Sequence, residues 1–154
     1  MQAKPVSDSA INDQTTEIFP NDLNAYGTVF GGRILEIADM TAAIVAKRHS
    51  GKICVTFSID SVRFLAPAGH GDILIFQASV NRVWRTSMEV GIKVLAEDFR
   101  TKERRHIVSA YFTFVALSDE HKPTAIAPVI PETEDEKRRF DAAEMRRQSR
   151  LKNR

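Results

Sequence analysis

The chain has 154 residues, 43% of them hydrophobic, which is the material of one globular domain with a real core. Its 22 Lys and Arg face 20 Asp and Glu, a net charge of +2 that is too small to mark a nucleic-acid binder, and no run nears the roughly 18 apolar residues of a membrane span. The one cysteine, Cys54, excludes an internal disulfide and a cysteine-rich metal site, and is expected as a buried structural thiol.

The first residues, Met1-Gln2-Ala3-Lys4-Pro5-Val6-Ser7-Asp8, lack an apolar signal core, so a cytoplasmic protein is expected. Residues 1–12 are small and polar and are expected to be flexible, ahead of a short strand near residues 15–19. The run Pro20-Asn21-Asp22-Leu23-Asn24-Ala25-Tyr26-Gly27 is dense in turn formers and leads through Phe30 into Gly31-Gly32. A helix of about four turns is predicted from Arg33 to about Arg48, with Lys47, Arg48 and His49 in its last turn and Gly51 as its end. It is apolar around nearly its whole circumference and must be buried.

Downstream the period changes to two, and residues 53–65, 73–85, 88–99 and 105–117 read as strands. In the first, Ile53, Val55, Phe57 and Ile59 are expected on the core face and Cys54, Thr56, Ser58 and Asp60 on the wet one. In the third, Met88, Val90, Ile92 and Val94 are core, and Glu89, Gly91 and Lys93 are wet. Short turns such as Trp84-Arg85-Thr86-Ser87 imply antiparallel pairing. The fold class is therefore α+β, with a five-stranded antiparallel sheet that must wrap its helix or share it with a second subunit. After three prolines, Thr133-Glu134-Asp135-Glu136 reads as a capping box opening a charged helix, expected to be solvated and packed on a neighbour. Residues 132–154 hold 8 basic and 6 acidic side chains, so the charge excess lies in this tail.

Asp39 is the physical anomaly of the first helix. An acid among apolar turns is costly unless paired or employed, and one whose ionisation is disfavoured suits a general base. The alternative places it at the helix edge, in contact with solvent or a lysine. Gly31 and Gly32 leave backbone amides uncovered at the positive end of the helix, which suits a carbonyl oxygen gaining charge, although close packing of a turn also explains them. His49, His70, His106 and His121 are scattered, with no spacing for a metal or for a serine nucleophile, so no metal is expected.

The segment from Asn21 to Asp39 has Asn24, then Gly27, then Phe30-Gly31-Gly32, then Asp39 seven residues after the second glycine. It resembles the signature of hotdog-fold acyl-CoA thioesterases, the brain acyl-CoA hydrolase and YciA type. The resemblance continues through Val62-Arg63-Phe64-Leu65-Ala66-Pro67, Gly71-Asp72, Arg85-Thr86-Ser87-Met88 and Ala110 to Ala116. It implies a hotdog domain over residues 13–120, followed by a linker and charged helix over 121–154. It also implies a sheet curved around one long helix, protomers paired sheet edge to sheet edge, and a homodimer at minimum, with hexamers as trimers of dimers. Asp39 would be the catalytic carboxylate and Asn24 its partner from the opposite protomer, while the amide of Gly32, with Gly31 beside it, would polarise the thioester carbonyl. Arg63, Arg85, Thr86 and Ser87 would reach CoA, which enters as substrate and leaves as product, so no cofactor is implied. The implied reaction is hydrolysis of acyl-CoA to CoA and a free acid, by water or by direct attack of the carboxylate. Asn24 as a plain turn residue, and the Arg-Thr-Ser segment as a solvated turn, remain open from the residues alone. So does Phe57, Phe64 and Trp84 lining a ligand tunnel, core packing being the commoner role of strand aromatics. The rival from a different class is an acyl-CoA sensor of the same fold that binds without hydrolysis.

Overall fold

The computed structural model describes residues 1–153. Its main sheet is antiparallel and consists of β2 (Ile11–Glu17), β3 (Ile53–Phe64), β4 (Asp72–Val83), β5 (Ser87–Asp98) and β6 (Arg104–Leu117), in the spatial order β2-β4-β5-β6-β3. Helix α1 (Gly31–Ser50) lies on one face of this sheet and helix α2 (Glu134–Lys152) packs on strand β4 from the other. A two-residue parallel pair, β1 (Lys4–Pro5) with β7 (Val129–Ile130), completes the strands.

α1 turns Ile34, Ile37, Ala38, Thr41, Ala42, Val45, Ala46 and His49 to the sheet. Alanines at 38, 42 and 46 have no accessible surface and bring the helix close to Met88, Val90 and Phe114, which are equally buried. Gly51 ends the helix with φ at 69°, the left-handed position that costs a side chain and favours glycine. The helix is longer than the four turns expected, and it is not covered all round: Met40 and Ile44 stay open.

β3 departs most from its sequence pattern. It is an edge strand, and register shifts between Thr56 and Ser58 and between Asp60 and Arg63 mark two bulges. Ahead of the first bulge Thr56 faces α1, the reverse of the expected alternation, and Ile53, Val55, Phe57 and Ile59, expected in the core, are all exposed. Phe57 and Phe64 are 64% and 53% exposed, so neither is a core residue of this chain. The result is an open apolar surface along an unpaired strand edge and the free side of α1, which soluble monomers avoid.

Part of the first dozen residues is packed. Val6 is buried, β1 pairs with β7, and Lys4 Nζ donates to the carbonyl of His49 at 2.8 Å. The segment before α2 is packed as well, with Ile126, Ala127 and Val129 buried. His49 ties these parts together: its Nε2–H donates to the carbonyl of Ala127 at 2.7 Å, while buried Nδ1 has no partner. Burial holds its pKa below the ordinary 6.5, ahead of the opposing bond to Ala127. The unfolded chain then binds more protons than the folded one just below 6.5, so stability is full above that pH and falls as the pH drops through the window. Urea midpoints should decline from pH 7.5 to 5, and His49→Gln should flatten the decline; an equal slope in the variant would contradict this assignment.

α2 begins at a capping box: Thr133 accepts from the Glu136 amide at 3.1 Å and Glu136 reaches back to the Thr133 amide at 3.3 Å. The neighbour it packs on is the sheet of its own chain. Glu89, expected in water, is fully buried beneath it, receiving Arg146 at 2.9 and 2.8 Å and Asn81 at 2.8 Å. The Arg146 guanidinium also stacks over Tyr111 at 3.6 Å. Arg146→Ala leaves a buried carboxylate without its counter-charge, and a loss of about 3 kcal/mol in urea unfolding is expected. A loss under ~1 kcal/mol would mean that water already solvates Glu89.

Candidate active site

The segment before α1 is a built loop. Asp22 accepts from the Phe19 amide at 2.9 Å, pairs with Arg33 at 3.2 Å, and its carbonyl accepts from the Phe30 amide at 2.9 Å. Asn24 organises the next turn. Its Oδ1 accepts from the amides of Tyr26 and Thr28 at 2.9 and 3.1 Å, and Nδ2 donates to Thr28 Oγ1 at 2.8 Å. The turn role is therefore real, and it leaves the second Nδ2 hydrogen for another acceptor. Tyr26, beside it, is 93% exposed.

This loop delivers the chain to α1 with Phe30 as N-cap and no side chain capping the first amides. The Arg33 and Ile34 amides bond to the carbonyl of Phe30, whereas those of Gly31 and Gly32 have no acceptor among the described residues. At Gly31 an added Cβ would stand 2.9 Å from the Phe64 ring, and at Gly32 it would meet nothing within 4 Å. Gly31 is thus a close approach to an aromatic ring, and Gly32 has open space where a side chain would stand.

Asp39 sits two turns along α1, about 10 Å from Gly32 by helix rise. It is half-buried, at the seam between the covered face and the open face that carries Met40. The edge reading was therefore correct as to position. Its partner, however, is neither solvent alone nor a lysine: Thr56 Oγ1 donates to Asp39 Oδ1 at 2.7 Å. Thr56 was missed because the expected alternation of β3 put it on the wet face, whereas it turns to α1 and meets Asp39. No hydrogen bond joins Asn24 to Asp39 within one chain among the described residues. A single protomer brings Asp39 to Thr56, and separately holds Asn24 in a turn with Tyr26 and Thr28.

The four residues expected to reach CoA are divided. Thr86 and Ser87 line a cleft of about 560 Å³ on the outer face of the sheet, together with Arg147 and Arg150 of α2. Arg63 lines a neighbouring cleft with Tyr111 and Arg146. Arg85 is exposed, and its carbonyl accepts from the Ile126 amide at 3.0 Å. Trp84 is covered by α2, donating to Glu144 at 3.2 Å with Arg147 4.8 Å above its ring. Cys54 is only half-buried; burial raises its pKa, and the nearby Ser50 hydroxyl opposes the shift less strongly. Among the described residues, no group of three His, Cys, Asp or Glu side chains is placed to hold a metal ion.

Residues 26–102 match the thioesterase superfamily model. The uncharacterized acyl-CoA thioester hydrolase YkhA of Bacillus subtilis is 42% identical over 123 residues, which cover 80% of this chain and 72% of that protein. Among solved structures, an apo-hexameric acyl-CoA thioesterase superposes with a TM-score of 0.95 at 38% identity, covering 99% of this chain and 97% of that one. An acyl-CoA hydrolase of Staphylococcus aureus, solved with butyryl-CoA, CoA and CoA disulfide, gives 0.92 at 38% identity over 98% of this chain and 92% of that one. That hydrolase has also been solved with an aspartate, a threonine and an asparagine each replaced by alanine. In it the asparagine precedes the aspartate by 15 residues and the threonine follows by 17, the spacings of Asn24, Asp39 and Thr56 here.

Proposed function

The chain belongs to the thioesterase superfamily, as an acyl-CoA thioester hydrolase, and from that premise we propose that Asp39, oriented by Thr56, drives the hydrolysis in a site completed by a second copy of the chain. The observation that carries this reading is the Asp39–Thr56 hydrogen bond at 2.7 Å on the open side of α1. The donated hydroxyl fixes the rotation of the carboxylate and leaves Oδ2 free to accept a proton from water.

A thioester is already activated, so an aligned water suffices without a metal or a serine nucleophile. Water adds to the carbonyl carbon as Asp39 takes its proton, and the oxygen that becomes negative is met by the Gly32 amide at the positive end of a helix. Collapse breaks the carbon–sulfur bond, and the proton returns to the departing thiolate to give CoA and a carboxylic acid. Attack by the Asp39 carboxylate itself, through a transient anhydride, would use the same groups.

The partner's role follows from reach. Asp39 and Asn24 share no hydrogen bond within a chain, while Met40 and Ile44 of α1 and Ile53, Val55, Phe57 and Ile59 of the edge strand β3 are all exposed. A two-fold copy on this surface would bring the Asn24 loop of one protomer to the Asp39 of the other, and the remaining Nδ2 hydrogen of Asn24 would orient water or substrate. Hexamers would then be three such dimers. Thiol release from acyl-CoA tests the assignment: Thr56→Val should lower kcat about 10- to 100-fold by freeing the carboxylate to rotate, with the oligomer intact. Unchanged turnover would remove Thr56 from the site.

A further inference from the structure

A different cleft, of about 470 Å³, opens on the outer face of the sheet between strands β2, β4, β5 and β6 and the start of α2. None of the residues assigned above to hydrolysis or to CoA lines it. Its floor holds a polar group that lacks a partner. Asn81 stands at a bulge, where the β4–β5 register shifts between Val80 and Arg82, and it is only 2% exposed. Its Nδ2 donates to the buried Glu89 carboxylate at 2.8 Å, and an added Cβ on Gly91 would come within 2.7 Å of that nitrogen. The amide is therefore clamped, and the opposite flip would set its oxygen against the carboxylate. Oδ1 is left buried with no hydrogen-bond partner among the described residues. Buried amide oxygens are almost always satisfied, so Oδ1 calls for a donor brought from the cleft.

The rim of this cleft is cationic. Lys93 on β5 and Arg139 on α2 line it and make no ion pair among the described residues, whereas Arg138 is matched by Asp135 at 3.2 Å. Asp135 is the only acidic side chain of the described lining. Lys93 follows Gly91 on the same face of β5, about 7 Å along the strand. Two unmatched cations held on separate elements suit negative charge spread over a molecule rather than one compact phosphate, and a guanidinium takes a carboxylate through two parallel bonds. The donor for Oδ1 belongs to the same molecule. An ammonium would be repelled by these cations, which leaves a hydroxyl.

Beyond the hydrolase reading, we infer that this cleft is a separate binding site for a small hydroxylated polycarboxylate, whose hydroxyl donates to Asn81 Oδ1 and whose carboxylates meet Lys93 and Arg139. A molecule seated there ties α2 to strands β4 and β5, so its binding stabilises the fold by mass action.

Citrate and tricarballylate are matched probes, because they differ in the central hydroxyl alone. Calorimetric titration of the full chain at pH 7.5 and fixed ionic strength should show saturable citrate binding, one per chain, with tricarballylate and inorganic phosphate each about tenfold weaker or more. Lys93→Gln and Arg139→Gln lie on the rim, clear of the hydrolytic groups, and each should weaken citrate about tenfold with oligomer size unchanged. Citrate should also raise the thermal midpoint, by more in wild type than in either variant. Equal affinity for citrate and tricarballylate would leave Asn81 to water and overturn the proposal. So would phosphate binding as tight as that of citrate, or citrate binding that is unchanged in both variants, is displaced by saturating CoA, or is lost only where the oligomer size changes.

Discussion

Asp39→Asn should lower thiol release from acyl-CoA by about three orders of magnitude, the range in which a positioned general base acts, while fold and oligomer size persist. The amide is nearly isosteric, and its oxygen can still accept from Thr56 Oγ1, so the local geometry survives and only the proton acceptor is lost. A nucleophilic Asp39 predicts the same collapse, because an amide attacks poorly. The acyl-CoA sensor predicts something else: tight binding and no thiol release by the wild type. Turnover in Asp39→Asn within about twofold of wild type would leave Asp39 as a structural helix-edge residue.

The second large effect concerns assembly. Val55 lies on the open edge strand with Ile53, Phe57 and Ile59, and all four are exposed, as are Met40 and Ile44 of α1. Covering such side chains contributes about 1.5–3 kcal/mol each, enough together to hold a dimer, and lysine on a strand edge is the usual means of preventing association. Val55→Lys should therefore yield monomers on sizing and lower thiol release about 100-fold or more, since each site would lose the loop contributed by its partner. Monomers with full activity would show that one chain holds a complete site. Intact oligomers would show that the copy docks elsewhere.

Much of this was legible before any coordinates. Strand positions 73–85, 88–99 and 105–117 fall within a residue or two of β4, β5 and β6, because their alternation is set by one covered face. Gly51 and the Thr133 capping box mark helix ends as their local chemistry dictates. β3 was legible as a strand but not in its faces, since its apolar residues lie exposed on an edge strand while Thr56 turns to α1. Glu89 read as wet because nothing local announces a helix 57 residues later that brings Arg146 to cover it. The same long-range docking hid Arg147 and Arg150, whose tail looked like a solvated surface. Asp39 stood out through its apolar neighbours, and Thr56 could be found only through the geometry that joins them.

The claim that two protomers share each site has a direct test. Asp39→Asn and Asn24→Ala chains, each nearly inactive alone, are unfolded together, refolded at equal concentration and assayed for thiol release. If the two residues act from opposite protomers, half of the dimers are mixed and each mixed dimer carries one intact site, so activity should recover to about a quarter of wild type. Activity no greater than the sum of the two separate variants, in mixtures shown to contain mixed dimers, would place both residues in one chain and contradict the shared site.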